Sequence, residues 1–93
     1  MTTNGKRQVS FEFHPHATQA NEVLLLGDFT EWESHPIRLR RLKNGTWSTK
    51  VTLESGHQYQ YRYQVDGHWE DDGQCPSRVG NPFGSENCLL MVK

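Results

Sequence analysis

The sequence lacks what would build a helical bundle, a membrane span or a catalytic metal centre. Its apolar runs, such as Val23–Leu26, are a strand's worth, far below the roughly 20 residues a bilayer-crossing helix needs. No stretch beyond about two turns keeps a helical period. An excess of one charge is missing too: ten Lys and Arg stand against eleven Asp and Glu, which is not the electrostatic footprint of a nucleic-acid-binding domain. Met1–Arg7 leads into no apolar core, so no signal peptide is expected and the cytoplasm is the default location.

Cysteine is scarce. Cys75 and Cys88 form no zinc signature. Without an export signal a disulfide is disfavoured, and two reduced thiols are the expectation, with their redox state left open. Of the five histidines, His14 and His16 are separated by Pro15, and His35, His57 and His68 lie on three different turns. None has metal-ligand spacing, so neither metal nor cofactor is expected. No nucleophile elbow, phosphate loop or Cys-His arrangement occurs. Glu70, Asp71 and Asp72 are consecutive on a loop, the pattern of a solvated acidic turn. Catalysis is not expected.

What is present is alternation. Val9, Phe11 and Phe13 face one way and Ser10, Glu12 and His14 the other. Glu22–Leu26 is apolar on both faces, as in a central strand. Ile37–Leu42 reads as a strand, and Asn44-Gly45 as a hairpin turn. Trp47, Thr49, Val51 and Leu53 share the next core face. After Ser55-Gly56, residues Tyr59, Tyr61, Tyr63 and Val65 form an apolar stripe opposite Gln58, Gln60, Arg62 and Gln64. Asp66-Gly67 is another hairpin signal. Residues 70–80 read as loop with a short strand near Trp69, and Glu86–Val92 as the last strand. About seven short strands in 93 residues predict one all-β sandwich domain over 1–93, with residues 1–6 flexible and the chain monomeric.

The tryptophans differ in setting. Trp47 lies on a core face. Trp32 ends the loop Gly27-Asp28-Phe29-Thr30-Glu31-Trp32, and Trp69 follows Asp66-Gly67-His68. Flat aromatic faces on loops suit a flat, weakly polar ligand, sugar rings first; the same positions also suit residues that cap the ends of a sandwich. Arg62, on the polar stripe before Trp69, can donate several hydrogen bonds to hydroxyls; a solvated strand face is the plainer reading of it.

Three ordered blocks carry a family resemblance. They are Val23-Leu24-Leu25-Leu26-Gly27-Asp28-Phe29-Thr30-Glu31-Trp32, then Gly56–Trp69 with its Asp66-Gly67 turn, then Asn81-Pro82-Phe83-Gly84-Ser85-Glu86-Asn87. Together, from about Val9 to Val92, they resemble the carbohydrate-binding modules of family 48. These are immunoglobulin-like early-set β-sandwiches found with isoamylases, glycogen-branching enzymes and the β subunit of AMP-activated kinase. The resemblance implies non-catalytic binding of α-1,4-glucans such as glycogen, starch and maltooligosaccharides. It makes Trp32 and Trp69 stacking platforms and places Arg62 where the kinase modules have a sugar-contacting lysine. Phe83 falls at an apolar sugar-reaching position and Asn87 at a hydroxyl-binding asparagine. Thr30-Glu31 departs from the family, which commonly has an asparagine there. Among family members, some early-set domains pack against enzymes without binding sugar. The alternative is therefore a module docking to a glycogen- or starch-metabolising enzyme through the same tryptophans. No nucleic-acid or membrane partner is expected.

Overall fold

The computed structural model describes residues 5–15, 19–72, 75, 77–82 and 84–93. Nine strands occur among them: β1 Lys6–Phe13, β2 Val23–Gly27, β3 Ile37–Arg38, β4 Arg40–Arg41, β5 Trp47–Glu54, β6 His57–Val65, β7 His68–Glu70, β8 Arg78–Gly80 and β9 Glu86–Val92. They form two antiparallel sheets. One is ordered β1-β5-β4; the other is ordered β3-β2-β6-β9-β8, with β7 also pairing β6.

The period-two patterns decide which side chains meet between the sheets. Phe11, Phe13, Trp47 and Leu53 from the smaller sheet are buried against Val23, Leu25, Tyr61, Tyr63, Val65 and Cys88 from the larger one. Phe13 stacks on Tyr63 at 4.2 Å between ring centroids, and Phe11 meets Tyr61 edge-on at 5.2 Å. Such pairs add about 0.5–1.5 kcal/mol beyond burial. The fold is the all-β, two-sheet sandwich expected, and Trp47 is core, only 7% exposed.

Several details differ from expectation. The single strand expected over Ile37–Leu42 splits in two. β3 pairs with β2 and β4 with β5, so the chain changes sheets at buried Leu39, whose N–H donates to Val23 O at 2.9 Å. Within the 1–6 segment expected to be flexible, Gly5 O accepts from Ser55 N–H and Ser55 Oγ–H, each at 2.8 Å, and Lys6 begins β1 opposite Glu54. Residues 1–4 lie outside the described residues. A second short strand, β8, occupies part of the stretch read as loop.

The expected reduced thiols are instead a Cys75–Cys88 disulfide. Antiparallel pairing of β8 with β9 sets Arg78 opposite Cys88. That register brings Cys75, three residues earlier, to a Cα–Cα distance of 6.0 Å, within bridging range.

β6 organises the larger sheet. One edge pairs with β2 through Tyr61–Val65; the other pairs with β9 through His57–Tyr61 and with β7 through Tyr63–Val65. Its polar stripe faces away from the smaller sheet. Side chains from β6, β7 and β9 therefore converge on one outer face.

Candidate carbohydrate-binding face

The loop after β2 is shaped by a close approach. A Cβ at Gly27 would lie 2.5 Å from Gln60 O and 2.9 Å from Tyr61 Cβ, so only glycine lets β2 leave the sheet against β6 here. The chain then makes two short 3-10 turns, Asp28–Thr30 and Trp32–Ser34. Glu31, between the turns, and Trp32, the first residue of the second, adopt left-handed backbone, at φ 53° and 56°. This conformation is rare outside glycine and costs on the order of 1–3 kcal/mol. Buried Thr30 offsets it. Its Oγ1 accepts Gly27 N–H at 3.0 Å, and its one proton serves Trp32 O at 2.8 Å or Gly27 O at 3.0 Å.

Asp28 ties this loop to the sheet. Its Oδ1 accepts Trp32 Nε1–H at 3.2 Å and its Oδ2 accepts Gln60 N–H at 2.8 Å. The indole's one donor is thus used internally, and Trp32 offers its ring rather than a hydrogen bond.

Trp69 is positioned by a turn. Asp66 and Gly67 both have positive φ, at 50° and 85°, as a type I′ hairpin requires. Asp66 Oδ1 also accepts Asn21 N–H at 3.0 Å and Glu22 N–H at 2.8 Å, fastening the turn to the chain before β2. Trp69 itself is 41% exposed.

Arg62 lies beside it. Its guanidinium carbon is 5.1 Å from the Trp69 ring centroid. Nη1 donates to Ser85 Oγ at 3.1 Å and Nη2 to Asp71 Oδ1 at 3.0 Å. The side chain is only 14% exposed, and buried Nε has no hydrogen-bond partner among the described residues. On β9, buried Asn87 donates Nδ2–H to Gln60 Oε1 and accepts from Asn81 Nδ2, both at 3.0 Å.

These elements enclose an open groove of about 820 Å³. Trp32, Arg62, Trp69 and Asn87 all line it, so four of the five residues singled out in the sequence meet on one face. Phe83 lies outside the described residues. Asp28, Gln60, Asn81 and Ser85 also line the groove. Gln60 is legible as the next residue on the polar stripe of Arg62; the roles of Asp28 and Ser85 come from tertiary hydrogen bonds that no local pattern announces. The acidic run is not a free solvated turn: Glu70 belongs to β7, Asp71 pairs with Arg62, and Asp72 hydrogen-bonds Tyr61.

Among the described residues the groove is lined by the two indole rings, the amides of Gln60, Asn81 and Asn87, the Arg62 guanidinium, the Ser85 hydroxyl and the carboxylates of Asp28 and Glu33, and the Asp28 carboxylate is engaged by Trp32 and Gln60. A family profile described as the glycogen recognition site of AMP-activated protein kinase matches residues 9–93. The chain belongs to this carbohydrate-binding family. The family is a binding domain rather than a catalytic one. Similar curated proteins include the chloroplastic protein FLOURY ENDOSPERM 6 of Oryza sativa subsp. japonica, 41% identical over 78% of this chain and 13% of that protein. PTST homolog 2, chloroplastic, of Arabidopsis thaliana is 34% identical over 78% of this chain and 13% of its own length. The chloroplastic phosphoglucan phosphatase LSF1 of Arabidopsis thaliana is 29% identical over 89% of this chain and 14% of its own length. The chain thus spans about one-seventh of these relatives. The cytoplasmic location expected from the sequence is overturned by this comparison, since all three relatives are chloroplastic proteins by name.

Proposed function

We propose that residues 1–93 form one non-catalytic module that binds α-1,4-glucans, with Trp32 and Trp69 stacking on sugar rings. Arg62 and Asn87 supply polar contacts to hydroxyls, and Phe83 an apolar one. The observation that carries this reading is the meeting of Trp32, Trp69, Arg62 and Asn87 in one groove, in a chain that belongs to a glycogen-recognition family.

The energetics favour a weak site. Each ring face covers about 100 Å² of sugar, or ~2.5 kcal/mol by area. Association costs of several kcal/mol leave little surplus. Dissociation constants on the order of 0.1–10 mM for short maltooligosaccharides follow. Polymers bind more tightly through many overlapping sites.

Retention on insoluble starch tests the reading. Wild-type protein is expected to be retained, and Trp32→Ala and Trp69→Ala, folded by circular dichroism, to be released. Failure of the wild type to be retained would favour protein docking through the same face, with a glycogen- or starch-metabolising enzyme as partner.

A further inference from the structure

Charge is divided between the two sheets. Strands β1, β4 and β5, with the turn joining β4 to β5, carry Lys6, Arg7, Arg40, Arg41, Lys43 and Lys50 against only Glu12 and Glu54. The rest of the chain holds four cations against nine carboxylates. The near-zero net charge hides a basic smaller sheet and an acidic remainder that includes the candidate glucan face. Among the described residues, Arg40, Arg41 and Lys43 have no ion-pair partner. The nearest outward carboxylate in the register is Glu12, opposite Ser48, which in turn lies opposite Arg40. Two strand spacings put it roughly 9–10 Å away.

This basic end also holds a cleft of about 610 Å³ with His14, Pro15, Arg41, Leu42, Lys43 and Trp47 among its lining. Leu42 is 41% exposed, one of few large apolar side chains left open to solvent, whereas Trp47 is 7% exposed and offers no ring face. The His14 ring is oriented by Thr46 Oγ1, 3.1 Å from Nε2. β4 is one of the two edge strands of its sheet.

We propose that this cleft docks an acidic peptide segment of a partner protein that inserts an aliphatic side chain. Arg41 offers a planar donor pair matched to a carboxylate; Lys43 adds a second positive point; Leu42 and Pro15 form the apolar wall. A sugar finds no stacking platform here, and a bare phosphate leaves the apolar wall unused. The position on the smaller sheet leaves the groove at Trp32 and Trp69 free, so glucan and peptide bind at once. This docking is separate from the glucan reading and stands or falls without it.

The test is an amide NMR titration of the isotope-labelled chain with a synthetic peptide of alternating glutamate and leucine, alongside its glutamine-for-glutamate analogue. Shifts are expected at His14, at Arg41 through Gly45 and at Trp47, and not at Trp32 or Trp69. Binding is expected to weaken at least tenfold in Arg41→Ser/Lys43→Ser and in Leu42→Ser. It is also expected to weaken strongly when salt rises from about 0.05 M to 0.5 M, because screening shortens the reach of exposed charges. All three substituted positions are exposed, and unchanged dispersion of the other amide signals checks that the variants fold. The proposal is overturned by no response at millimolar peptide, by an equal response to the glutamine analogue, or by full affinity in the Arg41→Ser/Lys43→Ser variant. It is equally overturned if inorganic phosphate or a phosphorylated maltooligosaccharide, rather than the peptide, moves the cleft signals. Concentration-dependent shifts there without peptide would assign the cleft to a second copy of the chain instead.

Discussion

Arg62 sits with its guanidinium carbon 5.1 Å from the centroid of the Trp69 ring while Asp71 and Ser85 hold its two terminal nitrogens. The ring, the cation and the polar floor are therefore one unit. Arg62→Ala is expected to weaken maltooligosaccharide binding about tenfold, some 1.4 kcal/mol, by removing donors and freeing the Trp69 ring. Arg62→Lys keeps the charge but cannot reach Asp71 and Ser85 with one planar group, and an intermediate loss is expected. Isothermal titration of the three proteins checks the order.

The Trp32 loop depends on a residue with no side chain. Gly27→Ala drives a methyl against Gln60 O and Tyr61 Cβ, an overpacking cost of about 1–3 kcal/mol. The loop is expected to shift with it. Urea unfolding should show the lower stability, and Trp32 fluorescence an altered environment even before any sugar is added.

The Cys75–Cys88 bridge spans 13 positions. A loop of that size is worth about 3 kcal/mol through restriction of the unfolded chain. The oxidised protein is expected to unfold at a higher urea concentration than the same protein reduced by a dithiol. Identical midpoints would show that the bridge adds no stability.

Alkali is expected to destabilise the fold. Burial, then the charge and hydrogen bond of Asp72, push the Tyr61 hydroxyl up to about 12 from its ordinary 10, and burial raises Tyr63 further. Between those values the unfolded chain has lost the proton that the folded chain keeps. The stabilisation is therefore whole below pH 10 and is lost as pH rises through about 12. For Tyr61 alone the loss is on the order of 2–3 kcal/mol. Tyrosinate absorbance tracking the unfolding transition checks this.

Much of the fold was legible because one physical rule, alternation across a pleated strand, governs β5 and β6 along their whole lengths. Glycine turns at Gly45, Gly56 and Gly67 all have positive φ, as their dipeptides announce. The sheet switch at Leu39 was not legible, since buried Leu39 continues the alternation while the chain crosses between layers. The candidate face was legible in its rings and in Arg62, which stand out against their neighbours. Its supports were not: Asp28 reaching Gln60, Asp66 reaching Asn21 and Asp71 reaching Arg62 are pairings across 32, 45 and 9 positions. The disulfide is not legible in the sequence, because the β8–β9 register that brings Cys75 to Cys88 is a tertiary pairing.

The most direct test of the central claim is an amide NMR titration with maltoheptaose. Saturable shifts at Trp32, Arg62, Trp69 and Asn87 are predicted, with a dissociation constant on the order of 0.1–10 mM and their loss in Trp69→Ala. No perturbation of either indole at millimolar sugar, from a folded protein, would contradict the account.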